Sequence, residues 1–503
     1  MSAQRLGELL AGLVAVPGDQ DRTVTGLCLD SRRARAGELF LACGGRRAHG
    51  LAHLNQALAK GVAAVLWEPV EPFQELPPDL AAALGGCPAF AVPELHLHVG
   101  VLADRFYGAP SRGLHVVGIT GTDGKTSCSQ FLAASLDRPG ARCGVLGTLG
   151  YGLYGELAPA SHTTPDAIRV HGLLARMRDQ GARWAVMEVS SHALDQARVG
   201  GVHFDTAVLT NLGRDHLDYH GDEDAYAAAK RRLFQSTDLR HAVINLDDAF
   251  GRSLLPRLSS GVQAIGYTLT AGPADVPVVR GRGLRLDDAG LSLTIDSPWG
   301  SAQVRTALLG RFNASNVLAV TAALVLSGMP FDEACARIAE LRTVPGRMER
   351  FGGANGWPLV VVDYAHTPQA LTHVLQALRA HTRGRLWCVF GCGGDRDRGK
   401  RPLMGAIAAR EADQVVITDD NPRGEDPDVI VAEILGGIAD RSGVEVRRER
   451  ADAIAYALEQ AGDNDLVLVA GKGHEDYQEI AGRRLPFSDR EQVQNRLGRE
   501  VRR

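Results

Sequence analysis

A chain of 503 residues is too long for a single hydrophobic core and predicts about three domains. Its hydrophobic content of 45%, charged content of 23% and net charge of −4 are ordinary for a globular protein, and the slightly acidic balance argues against a general nucleic-acid binder. The sequence has no apolar run of membrane-spanning length and no signal-peptide pattern, so we expect a cytoplasmic protein without membrane insertion.

The first 93 residues have the pattern of a small α/β module. Strands are predicted over 23–30, 39–43 and 63–67, and a helix over 51–60. The first strand ends in Leu29-Asp30-Ser31-Arg32. Polar groups at a strand end either bind a ligand or only make a turn, and the residues alone favour the turn.

The central region begins with the stretch on which the functional interpretation depends most. An apolar strand over 115–119 leads into Gly-Ile-Thr-Gly-Thr-Asp-Gly-Lys-Thr-Ser at 118–127, and a helical pattern follows. The inner glycines let backbone N–H groups converge at a helix N-terminus, Lys125 can reach outer phosphates, and the Thr126 hydroxyl can bind Mg²⁺. The first glycine of the usual pattern is displaced to Gly118, and a chance Gly-Lys-Thr is the alternative. The flanking strand and helix favour a nucleotide-binding loop.

Alternating strands and helices continue through the central region and imply a parallel sheet covered by helices. The predicted elements are strands over 184–189, 206–211 and 242–245 and a helix over 223–234. Glu188 closes one strand and His216 follows another, so both fall on the sheet edge that carries the phosphate loop. They read as metal ligands there, and solvated or capping side chains are the alternative. Residues 276–308 change to a period-two pattern, which predicts a small antiparallel insertion.

Beyond a Pro-Gly hinge at 345–346, a third region predicts a doubly wound sheet. Its elements are predicted strands over 359–363, 386–390, 414–418 and 466–470 and helices over 368–380, 401–409 and 428–438. Charged side chains gather in the loops after these strands, which favours a binding site; these loops are 364–368, 393–401, 419–423 and 471–475. The eight cysteines include no C-x-x-C pair and are interpreted as mostly reduced thiols.

Six motifs make the chain resemble the Mur ligase family over its whole length. They are Thr-Gly-Thr-Asp-Gly-Lys-Thr at 120–126, Met-Glu-Val-Ser-Ser-His at 187–192, Asp-His-Leu-Asp-Tyr-His at 215–220, Arg-Phe-Asn-Ala-Ser-Asn at 311–316, Asp-Tyr-Ala-His-Thr-Pro at 363–368 and Asp-Asn-Pro-Arg at 420–423. The resemblance implies three α/β domains. Residues 1–93 would bind a UDP-sugar, residues 94–344 would form a P-loop-type ATPase domain with a parallel sheet, and residues 345–503 would form a Rossmann-like, doubly wound domain that binds an amino acid.

The family pattern also implies roles for individual residues. The implied ATP-binding set is Gly121, Thr122, Asp123, Gly124, Lys125, Thr126, Ser127, Asn316 and Asp363. The set implied to bind UDP-MurNAc-dipeptide is Leu29, Ser31, Arg46, Arg47, Ala48, Thr163, Thr164, Ser190, Gln196 and Arg198. The implied diaminopimelate set is Arg396, Asp420, Asn421, Pro422, Arg423, Gly471 and Glu475. The implied Mg²⁺ ligands are Thr126, Glu188, His216 and Lys230, and the implied catalytic set is Lys125, Lys230, His216, Glu188, Arg347 and His366.

Lys230 shows what the resemblance adds, because alone it reads as a surface lysine on a helix. The family pattern implies that it is carbamylated, which requires a lowered pKa since only the neutral amine reacts. Some positions depart from the family pattern: Asp123 and His162 stand where asparagine is usual, and the loop near the UDP-sugar differs at Arg46, Arg47 and His49.

The activity that the resemblance implies is ATP-dependent addition of meso-2,6-diaminopimelate to the D-Glu γ-carboxylate of UDP-MurNAc-L-Ala-D-Glu, through an acyl phosphate, in peptidoglycan synthesis. We expect a monomer. Arg423 with Glu475 would suit the distal carboxylate and amine of diaminopimelate. A lysine-adding Mur ligase and a folylpolyglutamate-type synthetase share the central motifs, and an ATP-sensing regulatory protein is the non-enzymatic alternative.

Overall fold

The structure is a computed structural model and describes residues 3–45, 48–270, 272, 275–354 and 356–498. It divides into two compact units, of which the first comprises Met1–Tyr267, Pro273–Val278 and Ala322–Met329. The second comprises Thr268–Gly272, Val279–Thr321 and Pro330–Arg503. Within the described ranges, no helix has both the length and the apolar character needed to cross a bilayer.

The N-terminal part of the first unit contains a small parallel sheet. It is preceded by a separate antiparallel pair of short strands, β1 (Gln4–Arg5) and β2 (Thr23–Val24). The strands of the parallel sheet are β3 (Gly26–Cys28), β4 (Glu38–Ala42), β5 (Ala64–Trp67) and β6 (Ala89–Ala91). Its helices are α1 (Leu6–Leu9), α2 (Leu54–Ala59), α3 (Pro78–Ala83) and α4 (Leu95–Phe106). The sheet order is β3-β4-β5-β6, and its apolar face packs Leu39 and Leu66 with Leu95 and Leu102 of α4.

The rest of the first unit is organised around a larger sheet. Its strands are β7 (His115–Thr120), β8 (Arg142–Gly147), β9 (Gly150–Leu153), β10 (Ala182–Glu188), β11 (Thr206–Leu209), β12 (His241–Asn245) and β13 (Gln263–Thr268). Its helices are α5 (Lys125–Leu136), α6 (Ala167–Asp179), α7 (Ser191–Asp195), α8 (Leu217–His220), α9 (Glu223–Arg231) and α10 (Ala249–Leu254).

The order of these strands determines where the functional loops meet. The strands lie in the order β13-β12-β11-β7-β10-β8-β9, with β10 and β11 parallel to β7 on its two sides. Val116, Val117 and Ile119 are all buried, as expected for a central strand covered by helices on both faces. The loops after β7, β10 and β11 therefore leave the sheet side by side at its carboxyl edge.

An antiparallel meander follows, as the period-two pattern predicts. It consists of β14 (Val278–Asp287), β15 (Gly290–Ser297) and β16 (Gly300–Thr306), paired in sequence order. Two helices come next, α11 (Arg311–Leu326) and α12 (Phe331–Ala339).

The C-terminal part of the second unit is a doubly wound sheet. Its strands are β17 (Glu349–Gly352), β18 (Leu359–Asp363), β19 (Leu386–Phe390), β20 (Gln414–Ile417), β21 (Val444–Val446) and β22 (Leu466–Ala470), followed by a hairpin of β23 (Tyr477–Ile480) and β24 (Arg483–Pro486). Its helices are α13 (Pro368–Arg379), α14 (Lys400–Glu411), α15 (Pro427–Leu435), α16 (Arg450–Gln460) and α17 (Asp489–Leu497).

In this sheet β22 lies between β18 and β19, and the order is β17-β18-β22-β19-β20-β21. All of these strands are parallel except β17, which pairs antiparallel with β18. The strand order reverses beside β18, which is where open α/β sheets bind ligands.

Helix α13 shows how local sequence sets an element in this sheet. The Thr367 hydroxyl accepts the N–H of Ala370 as an N-cap, and Pro368 occupies the first helical position. Leu371, Leu375 and Leu378 then bury one face of the helix against the sheet.

The predicted α/β fold class is confirmed, whereas the predicted domain boundaries at 93 and 344 stay predictions. Helix α5 begins two residues earlier than predicted, because Gly124 takes a left-handed conformation and lets the helix start at Lys125. The predicted helix over 51–60 begins as a 3₁₀ turn over Gly50–His53. All eight cysteines are free, as predicted.

Candidate active site

The phosphate loop has the predicted strand–loop–helix geometry. Gly121 has φ +151°, and a Cβ there would lie 1.8 Å from the side-chain oxygen Thr210 Oγ1 and 3.0 Å from the Asn211 carbonyl oxygen, so both the backbone conformation and the crowding favour glycine. Lys125 Nζ folds back over the loop and donates to the carbonyl oxygens of Gly121 and Thr122 at 2.8 Å each. Asp123 donates its N–H to Asn211 Oδ1, and its side chain is exposed.

Glu188 lies at the centre of an oxygen-rich cluster beside this loop. Its side chain is fully buried at the end of β10, and its Oε2 accepts the Thr126 hydroxyl at 2.8 Å and the Thr148 hydroxyl at 3.1 Å. Its Oε1 accepts the N–H of Thr148 at 2.9 Å. A Cβ at Gly147 would lie 2.2 Å from that Oε1, so the glycine makes room for the carboxylate.

This oxygen set fits a magnesium ion by its chemistry. Mg²⁺ prefers carboxylate and hydroxyl oxygens and keeps water and substrate phosphate oxygens in its remaining positions. The described part of the chain has no converging group of three or more His, Cys, Asp and Glu side chains that would form a complete protein site. Glu188 and Thr126 would therefore supply only part of the coordination shell.

Lys230 is buried against the same loop, so its interpretation as a surface lysine is wrong. It is 1% exposed, and its Nζ donates to the Gly121 carbonyl at 2.7 Å, the same oxygen that Lys125 contacts. Burial and, after it, the nearby Lys125 charge lower the pKa of Lys230 to about 6. The amine is therefore mainly neutral near pH 7, which is the form that carbamylation needs.

Tyr226 connects these groups, and the sequence interpretation missed it. Its hydroxyl lies 3.1 Å from Thr122 Oγ1, and its ring centroid lies 4.4 Å from Lys230 Nζ. Burial raises the pKa of Tyr226 to about 12. The sequence did carry a signal for this contact: Tyr226 and Lys230 are four residues apart on α9, and side chains four apart lie on the same face of a helix.

His216 lies on the exposed side of this cluster. It has φ +53° at the start of α8, and its ring centroid is 6.3 Å from that of Tyr226 and 4.8 Å from that of His192. Its Nε2 is 3.3 Å from Asp215 Oδ2. His216 thus packs near Tyr226, whose hydroxyl contacts Thr122 of the phosphate loop. The role of His216 as a metal ligand stays a prediction.

The residues predicted to hold the peptide arm form one connected network beside Glu188. Thr164 Oγ1 donates to the Glu188 carbonyl at 2.8 Å and accepts the N–H of Ser190 at 3.1 Å. Arg198 donates to the Thr164 carbonyl and to Gln196 Oε1, and burial lowers its pKa. The predicted residue Thr163 also belongs to this network, with its hydroxyl 3.1 Å from that of Thr148.

The residues predicted to bind the UDP-sugar line a separate cavity of about 510 Å³ in the N-terminal part. Leu29, Ser31 and Ala48 contribute to its wall, and Ser31 Oγ donates to Gln56 Oε1 at 2.7 Å. Asp30 also caps a 3₁₀ turn over Ser31–Arg33, so the strand end makes the predicted turn and lines the cavity as well. Arg46 and Arg47 lie outside the described residues.

His49, one of the departures from the family pattern, is buried below this cavity. Its Nδ1 accepts the N–H of Leu51 and its Nε2 lies 2.9 Å from the Glu68 carbonyl, which assigns the proton to Nε2.

In the second unit, one predicted nucleotide-binding residue, Asn316, lies on α11, and the other, Asp363, lies at the end of β18. Asn316 is buried on α11, and its Nδ2 donates to Asn313 Oδ1. Asp363 ends β18, and its carboxylate accepts the N–H groups of Met348 and Ala365 at 2.8 Å each. Burial raises the pKa of Asp363.

Arg347 and His366 flank the ring of Tyr364 near that strand end. The Arg347 guanidinium lies 5.1 Å from the ring centroid, and the His366 ring centroid lies 4.5 Å from it. His366 is exposed, and its Nδ1 is 2.7 Å from the Tyr364 carbonyl.

The predicted diaminopimelate residues meet at the carboxyl edge of the C-terminal sheet. Gly471 has φ +118°, and a Cβ there would lie 2.5 Å from Asp420 Oδ2, so glycine is required between these strand ends. Asn421 Nδ2 donates to Glu475 Oε2 at 3.1 Å. Asn421 and Asp420 are buried, whereas Arg396 is exposed on the neighbouring loop.

Arg423 is fixed in a left-handed conformation, with φ +52°, next to Pro422. Its N–H donates to the Glu479 carbonyl and its own carbonyl accepts the N–H of Ala481, so the β23–β24 hairpin supports it. Its Nη1 donates to the Gly394 carbonyl at 2.8 Å, and its Nε lies 3.4 Å from Glu479 Oε2. The hairpin and Glu479 were not predicted.

A phosphate loop at the centre of a parallel sheet, with a buried carboxylate and a buried neutral lysine beside it, defines a phosphate-binding enzyme fold of the P-loop type. The family model described as the Mur ligase middle domain matches residues 119–324, and the one described as the Mur ligase, glutamate ligase domain matches residues 346–473.

Relatives matched over nearly their whole length are also Mur ligases. The chain is 55% identical to UDP-N-acetylmuramoyl-L-alanyl-D-glutamate–2,6-diaminopimelate ligase of Alkalilimnicola ehrlichii, over 99% of both chains. It is 51% identical to the protein of that name from Pseudomonas aeruginosa, over 95% of this chain and 96% of the relative. A solved structure of a ligase of that name matches with a TM-score of 0.76 and 37% identity, over 99% of both chains. The chain therefore belongs to the Mur ligase family.

Proposed function

We propose that this protein is an ATP-dependent ligase that adds meso-2,6-diaminopimelate to the γ-carboxylate of the D-glutamyl residue in UDP-MurNAc-L-Ala-D-Glu, in cytoplasmic peptidoglycan precursor synthesis. The observation that carries the proposal is the cluster at the carboxyl edge of the C-terminal sheet, where Asn421 donates to the carboxylate of Glu475 and the cation Arg423 follows two residues later in the same loop. The full-length relatives that carry this activity in their names support it.

The first half of the reaction activates a carboxylate. A carboxylate is a poor electrophile, so transfer of the ATP γ-phosphoryl group to it creates an acyl phosphate with a good leaving group. Lys125, which lies over the phosphate loop, would stabilise charge on the transferring group, and Arg347 would assist. Magnesium, held by Thr126, Glu188 and His216, would neutralise phosphate charge when bound.

Lys230 would complete this site as a carbamate. Its neutral amine can add CO₂, which converts a buried amine into a carboxylate-like oxygen ligand. An uncarbamylated ammonium at this position would repel a metal ion.

The second half of the reaction forms the amide. The amine of diaminopimelate attacks the acyl carbon and forms a tetrahedral intermediate. Phosphate then leaves with the pair of electrons from the C–O bond, and the proton lost from nitrogen balances the charge of the released phosphate. At the distal end of the amino acid, Arg423 would bind the carboxylate and Glu475 the amine. Lysine has no distal carboxylate, so Arg423 would lack a partner with that substrate.

The UDP-linked substrate would span two sites of the first unit. The cavity at Leu29, Ser31 and Ala48 would bind its UDP-sugar. The network of Thr163, Thr164, Ser190, Gln196 and Arg198 would hold the peptide arm beside Glu188.

Phosphate release measured with each amino acid separately tests the proposal. We expect release that requires ATP, UDP-MurNAc-L-Ala-D-Glu and diaminopimelate together, with the tripeptide product identified by mass spectrometry. Addition of lysine but not of diaminopimelate from an equal mixture would contradict the proposed specificity. ATP binding without any amino-acid dependence would indicate a sensor instead of a ligase.

A further inference from the structure

A buried lysine in the predicted binding loop 471–475, to which the sequence pattern assigned no role, contacts the carboxylate of Glu475. Lys472 is fully buried, and its Nζ donates to Asn421 Oδ1 and to Glu475 Oε2, each at 3.1 Å. Asn421 Nδ2 donates to the same Glu475 oxygen at 3.1 Å. Both donors thus reach Oε2, and within the described ranges no hydrogen bond occupies Oε1 of Glu475.

The Asn421 side chain is fixed in turn. Its Oδ1 accepts both Lys472 Nζ and the N–H of Glu479, the latter at 2.8 Å. An amide oxygen that receives two donors cannot exchange places with the amide nitrogen, so Nδ2 must face Glu475. Lys472, Asn421 and Glu475 therefore form one closed arrangement with a single orientation.

We propose that Lys472 is a positioning residue that aims Glu475 at the distal amine of diaminopimelate, an inference that rests on the proposed function. Lys472 has no exposed surface with which to contact a bound amino acid, and its amine is engaged by Asn421 and Glu475. Glu475 is 19% exposed and remains available to the ligand.

Energetics favour this role over a purely stabilising one. A buried ion pair costs desolvation and is often no more stable than apolar side chains of the same volume. A cation placed behind Glu475 also weakens the attraction of that carboxylate for an ammonium. If Lys472 only neutralised charge, its removal would strengthen amine binding, whereas a positioning role predicts weaker binding.

The test compares Lys472→Met with the wild-type full chain and with Arg385→Met as a matched control. Arg385 pairs with Asp465 next to the start of β19, at the sheet edge opposite the pocket. Steady-state phosphate release gives kcat and KM for diaminopimelate and for ATP. The inhibition constant of 2-aminopimelate, which keeps the distal carboxylate but lacks the distal amine, is measured as well.

In Lys472→Met we expect the KM for diaminopimelate to rise about ten- to a hundredfold, the loss typical of a hydrogen bond to a charged group. The KM for ATP and the inhibition constant of 2-aminopimelate should change less than about threefold. In the background of Glu475→Gln, the same substitution should add little, because the two residues act as one unit. Lys472→Gln gives a neutral polar variant if the methionine variant does not fold, as judged by its thermal unfolding midpoint.

An unchanged or lower KM for diaminopimelate would overturn the proposal, and so would an equal weakening of diaminopimelate and 2-aminopimelate. The wild-type measurement separates this failure from failure of the proposed function. If the wild-type protein releases no phosphate with diaminopimelate, both the proposed function and the positioning role are wrong. If the wild-type protein is active and the Lys472 variants have the same KM for diaminopimelate, only the positioning role is wrong.

Discussion

Lys230 gives a direct test of how the phosphate site is completed. Burial beside Lys125 lowers its pKa from 10.5 to about 6. At about pH 7.5, roughly one ordinary lysine in a thousand is neutral, whereas a pKa of about 6 leaves about thirty neutral amines for every ammonium. The site therefore raises the fraction able to add CO₂ on the order of a thousandfold.

The perturbation is removal and return of CO₂. Protein equilibrated with ¹³C-bicarbonate should show a carbamate carbonyl resonance that is lost in Lys230→Met. Diaminopimelate-dependent phosphate release should fall in CO₂-free buffer and recover when bicarbonate is added. The fall should be steeper as the pH drops towards about 6, because the amine then takes up a proton when the carbamate decomposes.

Lys472 is the matched control for burial. It is as buried as Lys230, but its amine is held by a carboxylate, so Lys472→Met should leave the resonance in place. A wild-type protein that takes up no label yet ligates at full rate in CO₂-free buffer would refute the reasoning.

Three further predictions concern specificity, stability and pH. Arg423→Met should raise the KM for diaminopimelate at least about tenfold and leave any residual lysine addition unchanged. An equal loss of activity with both amino acids would contradict the assignment of Arg423 to the distal carboxylate. Asp489→Asn should lower the free energy of unfolding by about 3–5 kcal/mol in denaturant titrations, because it leaves the fully buried Arg450 without its carboxylate; a loss below about 1 kcal/mol would contradict this. Burial lowers the pKa of His115 and of His241 below 6.5 in the folded protein, so the unfolded chain takes up protons first and stability should fall as the pH drops from 6.5 through the folded-state values. The denaturant midpoint should change less between about pH 7.5 and 5.5 in a double His→Asn variant than in wild type, and an equal change would exclude these two groups.

The buried strands could be predicted from the sequence because each is a continuous apolar run ended by glycine or a polar loop. The strands at 359–363, 386–390 and 466–470 have the predicted bounds. Elements with little apolar content were missed. All residues of β24 are exposed, and the buried residues of α17 are only Asp489 and Val493, so neither element has a hydrophobic pattern to detect.

The same limit applies to the site. The glycines, the lysine and the hydroxyl of the phosphate loop lie close in sequence between a predicted strand and a predicted helix, so their convergence could be predicted from the local pattern. Lys472 and Asn421 are separated by 51 positions and meet only because β22 and β20 belong to the same sheet. Glu479 supports Arg423 from a hairpin that the sequence pattern does not show. The departures at Asp123 and His49 also needed the structure, which places the Asp123 side chain in solvent and the buried His49 side chain at the wall of the cavity lined by Leu29 and Ser31.

Lys230 and Lys472 show why residue type and burial together are not enough to assign a chemical role. Both side chains are almost completely withdrawn from water, and both lie next to the carboxyl edge of a parallel sheet. The amine of Lys230 meets a carbonyl oxygen and a second lysine, so its charge is opposed and the neutral amine, the form that carbamylation needs, is favoured. The amine of Lys472 meets an amide oxygen and a carboxylate, so it serves as a fixed cation that orients both. The nearest neighbours, supplied by strand order and not by local sequence, therefore decide whether a buried lysine acts as a reactive amine or as a positioning charge.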